Sequence, residues 1–218
     1  MNATVAEIFA LSIVIAGVIA LVRFKKMDPM FYPFILLIWI GSVNELLSVI
    51  LVFFKFYTLI NNNIYVLCES LIILWFFKKT GTVASNKTIF LFLGISFIVF
   101  WFTENLILDW DFFASSYFRI YYSFIIVILS VTTVNYLIVT AKKNLLKMPV
   151  FLISIAFIIY FTYEILVEAF SLYGLNNSLE FQKNVYMIMT YLNLFVNLIY
   201  ALAILWIPRK REHMLLSL

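Results

Sequence analysis

The fold of this chain is decided by apolar stretches such as residues 148–170, which read MPVFLISIAFIIYFTYEILVEAF. An α-helix rises about 1.5 Å per residue, so a stretch of this length crosses a hydrocarbon core roughly 30 Å thick. Comparable stretches recur along the sequence, and 65% of its 218 residues are hydrophobic while 12% are charged. Soluble domains carry about 25% charged residues. The sequence therefore predicts an all-α polytopic membrane protein.

Apolar stretches long enough to span a membrane occur at seven places in the sequence. We predict transmembrane helices at 4–22, 31–54, 61–77, 88–108, 116–140, 148–170 and 185–207. Pro33 and Pro149 stand near the first turns of the second and sixth helices, where a missing backbone N–H costs little. Because these helices leave almost nothing for a soluble domain, residues 1–218 are predicted to form a single transmembrane domain.

Lys and Arg are distributed unequally between the connections of the predicted helices. Twelve of the 15 basic residues fall in one set of connections, and the other set holds Lys55, Arg119 and Lys183. Cytoplasmic connections carry the excess of Lys and Arg, so the larger set is predicted to be inside. The N-terminus is then outside and the C-terminus inside. The predicted location is the plasma (cytoplasmic) membrane, with the first helix kept as an anchor.

Three glutamates are spaced at nearly equal intervals. Glu45, Glu104 and Glu164 are separated by 59 and 60 residues, and each lies in a predicted helix that runs from inside to outside. This spacing fits one helix followed by three helical hairpins related as repeats. Selection for basic residues inside, together with hairpins of similar length, would give the same pattern without a repeat.

The composition excludes several classes of site. The net charge of +4 comes from basic residues at helix ends without an interleaved aromatic patch, so no nucleic-acid partner is predicted. One cysteine, Cys68, and one histidine, His213, cannot supply a zinc site or an intrachain disulfide. P-loop, His-Glu-x-x-His and Gly-x-Ser-x-Gly motifs are absent from the sequence. No cofactor is predicted, and the lipid bilayer is the one certain partner.

Five glutamates lie within the apolar helices: Glu45, Glu69, Glu104, Glu164 and Glu168. We place all five nearer the outer face than the inner face, at a depth where we expect no lysine, arginine or histidine. A charged side chain at the bilayer centre costs roughly 2.5–3.5 kcal/mol on the insertion scale. The carboxylates are therefore expected to point into the bundle, where a proton, a bound cation or hydrogen-bond donors neutralise them.

Polar residues accompany these acids at helical spacing. Tyr160, Glu164 and Glu168 follow one another at intervals of four on the sixth helix, as Tyr65 and Glu69 do on the third. The seventh helix carries a polar stripe at intervals of four and three: Tyr186, Thr190, Asn193, Asn197 and Tyr200. Such faces are better buried against one another than against lipid. Besides the five glutamates, the candidate binding residues are Asn44, Asn105, Tyr65, Tyr160, Tyr186, Asn193 and Asn197.

Several functions remain open from the sequence. The first is a transporter or ligand-sensing protein with an acidic pocket in the outer half of the bundle, which binds a proton, a cation or a small cationic or polar ligand. The second is a seven-helix receptor or accessory subunit, which would need a protein partner because the inner connections are short. The third is an intramembrane lipid-modifying enzyme, and the lack of a His or nucleophile dyad argues against it. The last is a structural role, with neutral Glu side chains bridging helices at around 0.6 kcal/mol each.

The seven-helix plan is similar to that of rhodopsins and other seven-helix receptors in topology alone. A retinal protein needs a lysine in the middle of its last helix, and none lies between Lys183 and Arg209. Seven-helix carriers of the Pro-Gln loop type contain a Pro-Gln pair, which this sequence lacks. We therefore assign no family from the sequence.

Overall fold

A computed structural model of the chain describes residues 9, 11–56, 59–81, 86–107, 116–141, 144–172 and 178–208. Within these residues the protein is entirely helical, without a β-strand. Its α-helices are α1 (Ile13–Arg23), α2 (Tyr32–Phe53), α3 (Leu59–Lys79), α4 (Lys87–Ile107), α5 (Ser116–Thr140), α6 (Pro149–Leu172) and α7 (Leu179–Trp206). Short 3-10 segments stand at Phe24–Lys26, Pro29–Phe31 and Leu145–Lys147.

The all-α prediction is confirmed, and each predicted helix coincides with one of these seven. The start of the first predicted helix lies largely outside the described residues. Helix α7 begins at Leu179 rather than at residue 185, because Ser178 Oγ accepts a hydrogen bond from the backbone N–H of Phe181 at 3.1 Å. A serine that caps a helix in this way satisfies one of its free N–H groups. The first turn of α7 is polar, so the hydropathy of the sequence did not predict it as part of the helix.

Local sequence also explains where other helices begin. Pro33 stands in the first turn of α2, and Pro149 is the first residue of α6. The proline ring fixes φ at a helical value at a position where no N–H is needed. Before α4, Asn86 Oδ1 accepts a hydrogen bond from the N–H of Thr88 at 2.9 Å. These residues set the ends of the helices that carry the polar interior.

Five segments are long and apolar enough to cross a membrane: Pro29–Phe53, Lys87–Asn105, Ser116–Thr140, Pro149–Leu172 and Met187–Trp206. Large apolar side chains on their outer faces remain uncovered, with Phe92 70% exposed and Val139 85% exposed. Soluble monomers rarely present apolar surface on this scale. The segments therefore indicate a membrane protein.

Basic residues gather at one end of the bundle, which we call the basic end. Arg23 donates from Nη1 to the carbonyl oxygen of Leu205 at 2.6 Å and from Nη2 to that of Ile207 at 3.2 Å. These bonds place the C-terminal ends of α1 and α7 side by side. The Nζ atom of Lys147, just before α6, stands 5.5 Å from the ring centroid of Trp206. Cations near helix C-termini satisfy free carbonyls and complement the helix dipole.

An aromatic core fills the bundle between the basic end and the polar interior. Phe34 of α2, Phe76 of α3 and Phe157 of α6 are fully buried. The centroids of Phe34 and Phe76 are 6.0 Å apart, and those of Phe76 and Phe157 are 6.1 Å apart. Tyr200 of α7 completes the cluster, 5.4 Å from Phe34 and 6.0 Å from Phe157. Rings at these separations pack favourably, so the core closes the bundle on this side.

Candidate functional site

A cavity of about 70 Å³ lies among helices α1, α2, α3, α6 and α7. Its polar wall consists of Glu45, Glu69, Tyr65, Tyr160, Tyr200, Asn193 and Asn197. Its apolar wall consists of Ile13, Gly41 and Val196. A buried water needs roughly 10–15 Å³ of such space, so the cavity has room for a few waters or one small ion. It is far smaller than the roughly 300–1,000 Å³ of a pocket for a drug-sized ligand.

Helical spacing explains why these residues meet. Tyr65 and Glu69 are one turn apart on α3, and Asn193 and Asn197 are one turn apart on α7. Tyr160 reaches the cavity from α6. Half of the twelve candidate residues therefore line one cavity.

Gly41 of α2 keeps this space open. A Cβ atom built at Gly41 would stand 2.7 Å from Ile13 Cδ1 and 3.4 Å from Tyr65 Oη. Helices α1 and α3 thus approach α2 where it has no side chain. A larger residue at position 41 would displace the tip of Ile13 and narrow the cavity.

Glu69 stands at the middle of α3 and is 7% exposed. Tyr65 Oη donates a hydrogen bond to Glu69 Oε1 at 2.8 Å, and Tyr122 Oη donates to Glu69 Oε2 at 2.9 Å. Tyr122 belongs to α5 and is completely buried. Two phenols from different helices therefore fix the carboxylate that faces the cavity.

Glu164 of α6 lies on the other side of Tyr122 and is 5% exposed. Tyr122 Oη is 3.4 Å from Glu164 Oε1 and 3.3 Å from Glu164 Oε2. Ser123 Oγ donates to Glu164 Oε2 at 3.0 Å. We call Glu69, Tyr122 and Glu164 the carboxyl bridge. It connects α3, α5 and α6 behind the cavity wall.

Glu168, one turn beyond Glu164, is tied to the N-terminal end of α5. Ser116 Oγ donates to Glu168 Oε2 at 2.6 Å, and Arg119 Nη1 donates to Glu168 Oε1 at 3.4 Å. Our expectation that no basic residue lies at the depth of the acids is therefore wrong for Glu168. Arg119 was counted with the outer connections although the predicted helix 116–140 contains it, and in the structure it lies in the first turn of α5 with its side chain in contact with Glu168 of α6.

Glu104 of α4 is tied to the same helix end. Its Oε1 atom accepts a hydrogen bond from the N–H of Tyr117 at 3.0 Å, and its Oε2 atom accepts one from the N–H of Phe118 at 2.6 Å. The first N–H groups of a helix have no partner within the helix and favour negative charge. Glu104 therefore caps α5 from a neighbouring helix and does not face the cavity.

Asn44 and Asn105 are not part of the cavity wall. Asn44 Oδ1 accepts a hydrogen bond from Asn61 Nδ2 at 2.7 Å, which joins α2 to α3. Asn105 Oδ1 accepts one from Asn63 Nδ2 at 3.1 Å, which joins α4 to α3. Both asparagines bridge helices. The side chain of Tyr186, in α7, lies outside the described part of the chain.

The polar face of α5 was not predicted from the sequence. Ser116, Arg119 and Ser123 follow one another at intervals of three and four, with Tyr122 beside them. This spacing was visible in the sequence, but the aromatic and apolar neighbours of these residues hid it. Tyr200 was seen as part of the α7 stripe and was not named as a site residue.

Metal-ligating side chains do not cluster among the described residues. No group of three or more His, Cys, Asp or Glu side chains among them is arranged to hold a metal ion. What the geometry offers is two carboxylates and several neutral oxygen atoms around a small space. Comparison of the chain with protein-family models, with curated proteins and with solved structures gives no match.

Proposed function

We propose that this chain is an integral membrane protein that binds a small monovalent cation in its interior cavity, as a transporter or a cation-sensing protein. One observation carries the proposal: Glu45 and Glu69 face the same cavity of about 70 Å³, and no basic side chain belongs to its described wall. Carboxylates withdrawn from water need a positive partner or a proton. A cation that enters the cavity supplies that charge.

The lining favours a hard cation. Carboxylate, amide and hydroxyl oxygens are the ligands that hard cations prefer, and the wall provides all three kinds. A Ca²⁺ ion takes six to eight oxygen ligands and usually several carboxylates. The described residues bring no third acidic side chain to this space. Sodium and potassium ions are therefore the first ligands to test.

The proposal includes the orientation expected from the sequence, with seven membrane-spanning helices in the plasma membrane and the basic end in the cytoplasm. Phe34, Phe76 and Phe157 then lie between the cavity and the cytoplasm. A cation would enter from outside, and its release to the cytoplasm would require these rings to separate. A carrier needs that movement, whereas a sensing protein does not.

The test is the thermal stability of purified protein in detergent at constant ionic strength. Sodium and potassium chloride are compared with N-methyl-D-glucamine chloride. We expect at least one metal ion to raise the Tm of the wild type, because a ligand that binds the folded state stabilises it by mass action. Glu45→Gln and Glu69→Gln should each lose this shift. Glu168→Gln, the matched control, should keep it.

A second variant tests the volume of the cavity independently of the charge of its carboxylates. Gly41→Ala leaves every carboxylate in place but puts a methyl group at the cavity wall, 2.7 Å from Ile13 Cδ1 before relaxation. We expect a smaller cation-induced Tm shift with little change in Tm without cation. A wild-type Tm that is the same in all three salts would overturn the proposal. So would a Tm that depends on pH alone, since a proton would then be the whole ligand.

Flux into liposomes distinguishes a carrier from a sensor. Protein reconstituted into vesicles is given radioactive sodium or rubidium ions under a membrane potential. A carrier produces uptake that Glu45→Gln abolishes. Saturable binding without uptake indicates a sensor, and co-purification from native membranes would then identify its protein partner.

A further inference from the structure

We infer that Glu69 and Glu164 share one proton through Tyr122, and that a cation in the cavity displaces this proton. The shared proton follows from the carboxyl bridge and does not require the cavity to bind a cation. Its displacement rests on the function proposed above. The two statements therefore have separate tests.

Tyr122 has one hydroxyl hydrogen for two neighbouring carboxyl groups. Tyr122 Oη lies 2.9 Å from Glu69 Oε2 and 3.3 Å from Glu164 Oε2. A phenol carries one hydrogen and can donate to one of these carboxyl groups, while an ionised carboxylate has no hydrogen to donate. With that hydrogen directed to Glu69, the nearer acceptor, the second contact is a directed hydrogen bond only if the other carboxyl group carries a proton and donates it to Tyr122 Oη.

The donors around each group indicate where the proton resides. Glu69 accepts from Tyr65 Oη at 2.8 Å and from Tyr122 Oη at 2.9 Å, so each of its oxygens has a phenol donor. Glu164 has the longer contacts with Tyr122 and one donor of its own, Ser123 Oγ. Glu69 is then the ionised member. Glu164 is the protonated one, and it donates to Tyr122.

The charges near the bridge agree with one proton for the pair. Arg119 is the basic side chain in electrostatic reach of both carboxyl groups, and its Nη1 atom contacts Glu168. Its single charge acts on Glu164, Glu168 and Glu69, so one guanidinium group faces three acids. Among the described residues, the other titratable groups around the pair are Glu45, Tyr65, Tyr160 and Tyr200. All of them are acids or phenols, and none brings a second cation to the pair.

Glu69 belongs both to the cavity wall and to the carboxyl bridge, so it couples the cavity to the bridge. A cation beside Glu69 neutralises the negative charge that opposes ionisation of Glu164. Interacting acids of this kind titrate as a pair. The Glu164 O–H bond then breaks, and its proton leaves for water or buffer as the cation enters. One positive charge enters and one leaves, so the net charge of the interior is unchanged.

Infrared spectroscopy tests the shared proton. We expect purified wild type near pH 7 to show the C=O band of a protonated carboxylic acid, and Glu164→Gln to lose it. Tyr122→Phe should keep the band at a shifted frequency, because the O–H group loses its acceptor. Tyr136→Phe is the matched control, since Tyr136 is 60% exposed on the outside of α5, and it should leave the band unchanged.

Proton release tests the displacement. Sodium or potassium chloride is added to weakly buffered wild type that contains a pH dye, and we expect about one proton per bound cation. Glu164→Gln should bind the cation and release none. Cation binding without release in the wild type would overturn the displacement but leave the cavity site in place. A band that is absent from the wild type, or unchanged in Glu164→Gln, would overturn the shared proton whether or not a cation binds.

Discussion

Glutamates of apolar helices lie both at the N-terminal end of α5 and in the interior, but the hydrogen-bond donors around them differ. At the end of α5, Glu104 accepts two backbone N–H groups and Glu168 accepts a serine hydroxyl and a guanidinium group. In the interior, Glu69 and Glu164 share the hydroxyl of Tyr122. Glu45 has no hydrogen-bond partner among the described residues and faces open space.

The difference lies in how many donors the protein supplies. At the helix end four donors serve two acids, so these acids stabilise the bundle. In the interior, the hydroxyls of Tyr65, Tyr122 and Ser123 are three donors for three acids, and burying a carboxylate without a partner costs free energy. We therefore expect mutations at the helix end to change stability, and mutations in the interior to change the response to cations.

The largest effect is expected for Glu104→Ala. The change leaves two backbone N–H groups at the start of α5 without an acceptor, and hydrogen bonds to charged groups contribute about 1.5–3 kcal/mol each. We predict a loss of about 3 kcal/mol in the free energy of unfolding, measured by titration with sodium dodecyl sulfate in mixed micelles. Glu104→Gln keeps one acceptor and should lose less. Wild-type stability in Glu104→Ala would show that the cap is not formed.

An intermediate effect is expected for Arg119→Met. Removing the guanidinium leaves Glu168 with Ser116 as its remaining partner, while the two side chains are 19% and 13% exposed. Breaking one side of a partly buried pair should cost about 2 kcal/mol, measured in the same titration. In a double-mutant cycle, Arg119→Met combined with Glu168→Gln should cost less than the sum of the single changes. Strict additivity would mean that the pair does not interact.

The smallest effect on stability is expected for Glu45→Gln. The amide removes a carboxylate that no described residue satisfies, so the free energy of unfolding in buffer without metal ions should stay within about 0.5 kcal/mol of wild type. A loss as large as that of Glu104→Ala would place Glu45 with the acids at the helix end and remove the distinction between the two regions. The nearly equal spacing of Glu45, Glu104 and Glu164 in the sequence does not predict this difference.

Much of the fold follows from the sequence because apolar length is a local property. The helices and most of their ends could be predicted, and so could the stripes that bring Tyr65, Glu69, Asn193 and Asn197 to one cavity. The partners of Glu104 and Glu168 could not be predicted, because a helix N-terminus and a serine are donors that become visible only when α4, α5 and α6 pack together. The ion pair of Arg119 was missed for the same reason, since Arg119 was counted with a connection while its partner, Glu168, lies on another helix.

Equilibrium binding of radioactive sodium or rubidium ions to purified protein tests the cavity site most directly. We predict saturable binding of one ion per wild-type chain, no binding to Glu45→Gln or Glu69→Gln, and unchanged binding to Glu168→Gln. Absence of binding to the wild type would contradict the site. Binding that is lost in Glu168→Gln but kept in Glu45→Gln would also contradict the site.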